Sequence, residues 1–181
     1  LCKLFGNPRS GYLALAYLRQ AQGDWDGALR AVQEAEQQGL GATFDLLEMK
    51  HCRLWLALLQ GNPSTDSGQA LAASRWERES GLSADDELTF GREPEHILLA
   101  RALIALNRPA EATRLLERLL LAAKAGGRVG RVIEILALRA LVFRALGDAT
   151  QALACLEHAL SLAEPEGYVR LFVDEGQAMM K

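Results

Sequence analysis

The sequence contains few cysteines and few aromatic residues. Its 181 residues include only three cysteines, Cys2, Cys52 and Cys155, which are far apart and odd in number. A disulfide framework is therefore not expected, and the reducing cytoplasm is the expected location. Aromatic residues make up only 6% of the chain. Since β-strands favour aromatic and β-branched residues, this scarcity argues against a sheet-rich fold.

The chain also lacks a surplus of basic charge and a long hydrophobic segment. With a net charge of −3 and a pI near 5.7, the chain lacks the excess of basic residues that is typical of nucleic-acid-binding proteins. The longest apolar run, Leu54–Leu59, has six residues, whereas a membrane helix needs about 18. No signal-peptide pattern opens the sequence, so we expect no membrane partner. Because the chain starts at Leu1 and stops at Lys181 just as an apolar segment begins, we expect a fragment of a larger protein.

Motifs for catalysis and metal binding are missing as well. The sequence has no nucleophile elbow, no HExxH and no CxxC. Its glycine-rich string at 126–130 lacks the lysine of a phosphate-binding loop and follows a predicted helix rather than a strand. On a helix, His51 and Cys52 would point about 100° apart, so they do not converge on a metal, and Cys52 is expected to be a small buried hydrophobe. We expect no enzyme activity, no metal site and no cofactor in this fragment.

Leucine and alanine dominate the composition, and both favour helices because they lose little side-chain entropy there. Tyr12–Gln22 carries one apolar stripe at helical spacing and predicts a helix. Gly23 suits the left-handed position at a helix end, and Asp24 suits the N-cap of the next helix. A turn this short makes the two helices antiparallel, which predicts an αα-hairpin.

The hairpin pattern returns along the chain. Turn residues recur at Gly23, Gly61, Asn107 and Gly147, with spacings of 38, 46 and 40 residues. The second unit departs from the pattern through its long polar connector, Asn62–Asp66. Around the other three turns, small residues stand where the paired helices should cross closely. They are Ala16, Ala28, Ala100, Ala112, Ala140 and Ala152.

Repeats of this length predict an all-α fold, a right-handed α-solenoid of about four tetratricopeptide-like helical hairpins. We expect one helical-repeat domain over 1–181, with hairpins near 10–38, 46–80, 93–124 and 131–163 and a capping segment at 165–181.

Two connectors complete this prediction. Gly81–Arg92 is expected to be a loop with room for a short helical turn after Ser83. Ala125–Arg131 is expected to join the last two hairpins. Within it, Arg128 and Arg131 are predicted to be solvated or to neutralise carbonyls at the preceding helix end.

Four stretches carry a family resemblance. They are GYLALAYLRQAQGDWDGAL (11–29), SRWERESGLSADDELTFGREPEHILLARALIA (74–105), LLERLLLAAKAGGRVGRVIEILALRAL (115–141) and ALSLAEPEGYVRLFVDEGQAMM (159–180). Together they resemble the sensor domains of MalT-like, LuxR-type large transcriptional activators. The last two are the most specific, because generic helix packing demands neither GRxxRxIEIL nor EPEGYVRLFVDEG. The resemblance covers nearly the whole chain and is weakest at 1–10 and 62–66.

The resemblance implies a regulatory role. In that family a nucleotide-binding ATPase module precedes the repeats and a helix-turn-helix DNA-binding domain follows them. The resemblance further implies that this region senses a small-molecule inducer, which is a sugar in the best-known member, or a regulatory protein. Contact with DNA, and any ATPase activity, is expected only through domains outside these residues.

Candidate binding residues follow from the expected solenoid, in which the first helix of each hairpin lines a concave groove. The guanidinium groups of arginines and the faces of aromatic rings in this groove could bind a polyhydroxylated or anionic ligand. The competing interpretation is that the aromatic residues pack between hairpins while Arg101 and Glu134 form a structural ion pair. The groove candidates are Tyr17, Gln20, Glu48, His51, Trp55, Arg101, Glu134 and Arg144.

Near the C-terminus, Tyr168, Leu171 and Phe172 fall at i, i+3 and i+4. They are expected to cap the apolar end of the solenoid or to contact a following domain.

Two functions remain open at this point. The first is an effector- or partner-sensing domain whose ligand shifts a larger regulator between inactive and active states. The second is a generic tetratricopeptide-like adaptor that binds a peptide or protein in the same groove.

Overall fold

A computed structural model describes residues 8–37, 43–59, 66–165 and 167 of the chain. These residues form helices joined by turns and loops, with no strand among them, so the predicted all-α class is confirmed for this part of the chain. The chain divides into two compact units, 1–60 and 61–181. This division falls inside the predicted second hairpin, 46–80. The single-domain organisation, the number of hairpins and the superhelical hand stay predictions.

Unit 1 contains three α-helices: α1 (Pro8–Ala21), α2 (Trp25–Gln37) and α3 (Thr43–Leu59). Helices α1 and α2 form the predicted hairpin, and α3 packs against both of them. Its core is made of small and branched residues, because the helices cross where their side chains are short. The core residues are Ala16, Ala28, Ala31, Val32, Cys52 and Leu56.

The α1–α2 turn forms as its sequence predicts. Gly23 adopts a left-handed φ of 79°, which costs glycine nothing because it has no Cβ. Asp24 then caps α2, its Oδ1 accepting the Gly27 N–H at 2.8 Å. Helix α1 begins earlier than the predicted Tyr12, at Pro8, since proline is tolerated in a first turn whose N–H groups lack partners anyway.

Unit 2 contains five α-helices. They are α4 (Asp66–Ser80), α5 (Glu93–Ala105), α6 (Pro109–Ala125), α7 (Val129–Ala145) and α8 (Ala149–Ala163). Each packs against the next along the chain, and α5 also contacts α7. The core lies between them and is rich in leucine, with α6 contributing Leu115, Leu116, Leu119 and Leu120.

Left-handed residues make the tight turns of unit 2. Asn107, Gly127 and Gly147, with φ of 54°, 66° and 79°, each stand two residues after a helix end. The predicted connector Ala125–Arg131 was therefore too long. Gly127 alone reverses the chain, so α7 starts at Val129 rather than after Arg131.

The loop before α5 differs from the prediction in where its helical turn lies. After Ser83 the chain makes a hydrogen-bonded turn, in which the Ser83 N–H donates to Asp86 Oδ2 at 2.9 Å. The short helical segment comes later, as a 3₁₀ turn at Phe90–Arg92. From α6, Arg118 holds the loop by donating to the carbonyl oxygens of Ala84 and Asp86.

Alanine placement agrees with the predicted crossings. Ala16, Ala28, Ala100, Ala112 and Ala140 are all buried. Ala152 is half-buried. Among the residues described, no helix is both long enough and apolar enough to cross a membrane.

Candidate functional site

Two candidate groove residues from neighbouring helices meet in unit 1. The rings of Tyr17 on α1 and Trp55 on α3 lie 4.9 Å apart between centroids, tilted by 59°. Trp55 is half-buried against the core, whereas Tyr17 remains 48% exposed. Tilted rings at this distance attract each other, so the pair joins the first hairpin to the helix that follows it. It also leaves an aromatic face open to solvent.

Gln20 lies one helical turn after Tyr17 on α1, so the two side chains share a face. Its side chain is only 8% exposed, and its Oε1 atom has no hydrogen-bond partner among the residues described. A buried polar atom without a partner costs free energy, about 1–3 kcal/mol in proteins. Gln20 was predicted to face the groove. In the structure its amide is buried, and the amide oxygen can still accept a hydrogen bond.

Cys52 underlies the aromatic pair and is inert in its present environment. Its side chain is almost fully buried. Burial raises the pKa of the Cys52 thiol to about 12, and a hydrogen bond with the Tyr17 side chain offsets part of that shift. At neutral pH the group is therefore a thiol rather than the thiolate that attacks electrophiles or binds metals. The predicted role as a small buried hydrophobe is confirmed.

The other two unit 1 candidates are on α3. His51 is half-buried beside Cys52. The Glu48 side chain lies outside the described residues. Within the part of the chain that the structure describes, no group of three His, Cys, Asp or Glu side chains could hold a metal ion.

In unit 2, Arg101 of α5 and Glu134 of α7 meet directly. Arg101 Nη2 donates to Glu134 Oε1 at 3.0 Å, and both side chains are mostly buried. This is the ion pair of the competing interpretation. It links the first helices of the two predicted C-terminal hairpins.

The Arg101–Glu134 pair continues into a larger ionic cluster at the start of α7. Arg131 Nη1 donates to the second Glu134 oxygen at 2.7 Å, and Arg128 binds Glu93 through Nε and Nη2, at 2.7 Å for its shortest bond. Arg128 was expected to be solvated or to neutralise helix-end carbonyls, and it pairs instead with a carboxylate about one repeat away in sequence. Arg131 is partly exposed to solvent, at 39% of its side chain, and also pairs with a carboxylate.

The last described candidate, Arg144, lies apart from both groups. Arg144 has an exposed side chain in the last turn of α7, ten residues beyond Glu134 and so about 15 Å along the helix axis. Tyr168, Leu171 and Phe172 lie outside the described residues.

The sequence contains a signal for the long-range ion pairs in the spacing of their opposite charges. Arg101–Glu134 spans 33 residues, Arg128–Glu93 spans 35 and Arg108–Glu77 spans 31. These separations lie close to the 34-residue period of a tetratricopeptide repeat, which brings equivalent positions of neighbouring hairpins together. Opposite charges one repeat apart are thus a usable indicator of cross-repeat pairing.

Comparison with known proteins identifies the family. The family model described as the MalT-like TPR region matches residues 9–181. Comparisons with curated proteins and with solved structures gave no significant match. The family match spans nearly the whole chain, and the helices and turns are those of such repeats. The chain belongs to the MalT-like TPR region family, the helical repeat domain of MalT-type regulators.

Proposed function

We propose that the chain is the effector- or partner-sensing repeat domain of a LuxR/MalT-type transcriptional regulator in the cytoplasm. Binding at the repeat helices would shift the full-length protein between inactive and active states. Contact with DNA, and nucleotide hydrolysis, would belong to other domains of that protein.

The observation that carries the proposal is the surface formed by Tyr17, Gln20 and Trp55, called here the α1–α3 surface. It combines an exposed aromatic ring with a buried amide oxygen that accepts no hydrogen bond from any of the residues described. Binding sites for small molecules typically combine apolar area with a few placed polar groups. A neutral polyhydroxylated effector would supply both an apolar ring face for Tyr17 and hydroxyl donors for Gln20. Because the Gln20 oxygen is buried, we expect the Tyr17 side chain to move as such a ligand enters.

The position of this surface suggests how binding could be sensed. Helix α1 belongs to the first hairpin, whereas α3 is predicted to begin the next one. A ligand that contacts both helices would stabilise one arrangement of α1 and α3 over others. Only such a difference in affinity between arrangements can shift a conformational equilibrium.

A thermal-shift screen of the chain against sugars, other neutral metabolites and small acids tests the proposal. A ligand at about 100 times its Kd adds about 2.7 kcal/mol, which corresponds to roughly 5–10 °C for a chain of this size. The active compound is then titrated against Tyr17→Ala and Tyr17→Phe. We expect Tyr17→Ala to weaken binding at least about tenfold, because the aromatic face is lost, and Tyr17→Phe to bind nearly as the original chain does.

Leu18→Ala is the matched control, since Leu18 is the next residue of α1 and is also exposed. Equal binding by the original chain and Tyr17→Ala would contradict the assignment of the surface. Flat melting curves with every compound would contradict the small-molecule version and favour a protein partner.

A further inference from the structure

Arg139 of α7 is a mostly buried arginine that makes no hydrogen bond with any residue the structure describes. Only 20% of its side chain is exposed, and its Nε atom is fully buried without an acceptor. The one carboxylate within 4.0 Å among the described residues is that of Glu117 on α6, whose Oε1 lies 4.0 Å from Nη2, too far for a hydrogen bond. A guanidinium group carries five N–H donors, and burying donors without acceptors costs free energy. This position therefore has hydrogen-bonding capacity that a ligand could use.

Contacts on α7 and α8 hold the guanidinium group without satisfying its donors. Phe143, one helical turn later on α7, places its ring centroid 5.6 Å from Arg139 Cζ, within the range of a cation–π contact. Burial raises the pKa of the Cys155 thiol on α8, and the nearby Arg139 charge offsets part of that shift. Because the thiol is uncharged at neutral pH, it does not balance the charge of Arg139.

Glu117 determines which ligand charge this place accepts. Its side chain is 55% exposed, so a solute can reach its carboxylate. Glu117 and Arg139 form a pair of opposite charges whose sum is zero. A ligand with only a negative charge would be repelled by Glu117, and one with only a positive charge would be repelled by Arg139. A ligand with both charges can be attracted by both residues.

The distance between the two charges fits a zwitterion whose ammonium and carboxylate groups share one carbon atom. From ordinary bond lengths and angles, the nitrogen and a carboxylate oxygen of such a molecule lie about 3 Å apart. Hydrogen bonds between charged groups are about 2.7–2.9 Å long. One ligand can therefore bond to both members of a pair that lies 4.0 Å apart.

We propose that Arg139 and Glu117 form a binding site for a free α-amino acid, called here the Arg139 site. The ligand carboxylate accepts hydrogen bonds from Arg139, and the ligand ammonium group donates to Glu117. Phe143 positions the guanidinium group through its ring. Both binding residues belong to unit 2, so the site is separate from the proposed α1–α3 surface and does not depend on it.

Titration of the whole chain with each of the standard L-α-amino acids tests the proposal. Sodium chloride keeps the ionic strength constant, so that general screening does not change. The readout is the Nε–H resonance of Arg139 in ¹⁵N NMR spectra, assigned from its absence in Arg139→Lys. We expect this resonance to shift with a saturable curve for at least one amino acid.

Two analogues of the tightest-binding amino acid test whether both of its charges are recognised. The first is the carboxylic acid that lacks the ammonium group, and the second is the amine that lacks the carboxylate. Each analogue should bind about tenfold more weakly or worse, since each can make only one of the two charge-assisted interactions.

Variants of the chain, measured by isothermal titration calorimetry, assign the binding residues. Glu117→Gln should weaken binding about fivefold or more, because the ammonium group loses a charged acceptor. Arg139→Gln should weaken it further, and Arg139→Lys should recover only part of the affinity, since lysine lacks the planar donor group. Glu157→Gln is the matched control for Glu117→Gln. It makes the same charge change at an exposed position of α8, about 200° around the helix from Cys155, and should leave binding unchanged.

Three results would overturn the proposal. The first is a linear, unsaturated shift of the Arg139 resonance with every amino acid, which is decisive in the unaltered chain. The second is equal affinity for the amino acid and its carboxylic-acid analogue. The third is equal affinity in Glu117→Gln and Glu157→Gln, a comparison that holds even if Arg139→Gln folds poorly. Tyr17→Ala should bind the amino acid as the original chain does, so failure at the α1–α3 surface and failure at the Arg139 site can be told apart.

Discussion

Two leucines on α6 allow a sharp test of the helix packing. Leu116 is 0% exposed and Leu121 is 71% exposed, although they lie only five residues apart. Five residues of helix rotate the side-chain direction by about 140°, so the two leucines point to different sides. Leu116→Ala should cost about 2–5 kcal/mol through lost burial and a residual cavity, whereas Leu121→Ala should cost less than about 0.5 kcal/mol.

The assay is equilibrium unfolding in urea, followed by circular dichroism and by tryptophan fluorescence. Because total stabilities are about 5–15 kcal/mol, Leu116→Ala should visibly lower the transition midpoint. In a thermal melt the same loss corresponds to at least about 4 °C for a chain of this length. Equal costs for the two substitutions, or a larger cost for Leu121→Ala, would refute the assignment of the buried face of α6.

Three further predictions concern local features. Asp24→Ala should destabilise the chain by about 1 kcal/mol in urea unfolding, because α2 loses its N-cap, while Asp24→Asn should cost little. Asn107→Ala should cost about 1 kcal/mol in the same assay and Asn107→Gly about none, since Asn107 has a φ of 54°. With the pKa of Cys52 raised from 9.0 to about 12, the unfolded chain releases this proton first as pH rises. Above pH 9 stability should therefore fall by up to about 1.4 kcal/mol per pH unit more than in Cys52→Ala.

The helices and their turns were largely predictable because their signals are local. Gly23, Asn107 and Gly147 stand where left-handed conformations are required, and few other residues adopt them cheaply. Pro109 starts α6 as expected, since its missing N–H would be unpaired there anyway. The start of α7 was misplaced because several glycines and arginines stand together there, and only the structure shows that Gly127 makes the turn.

The candidate site was less predictable because its contacts join residues far apart in sequence. Helical spacing placed Tyr17 and Trp55 on the first helices of two repeats, and their contact agrees with that placement. It did not indicate that Gln20 would be buried, since a polar residue on a helix is usually exposed. Nor did it match Glu93 with Arg128, because that pairing depends on how one repeat is offset from the next.

Amide hydrogen exchange on the chain tests whether the α1–α3 surface senses an effector. Exchange is measured with and without the compound that raises the melting temperature most. Our expectation is slower exchange in α1 and α3, at 8–21 and 43–59, with little change in α6 and α8. Protection confined to unit 2, or no protection with any compound, would contradict it.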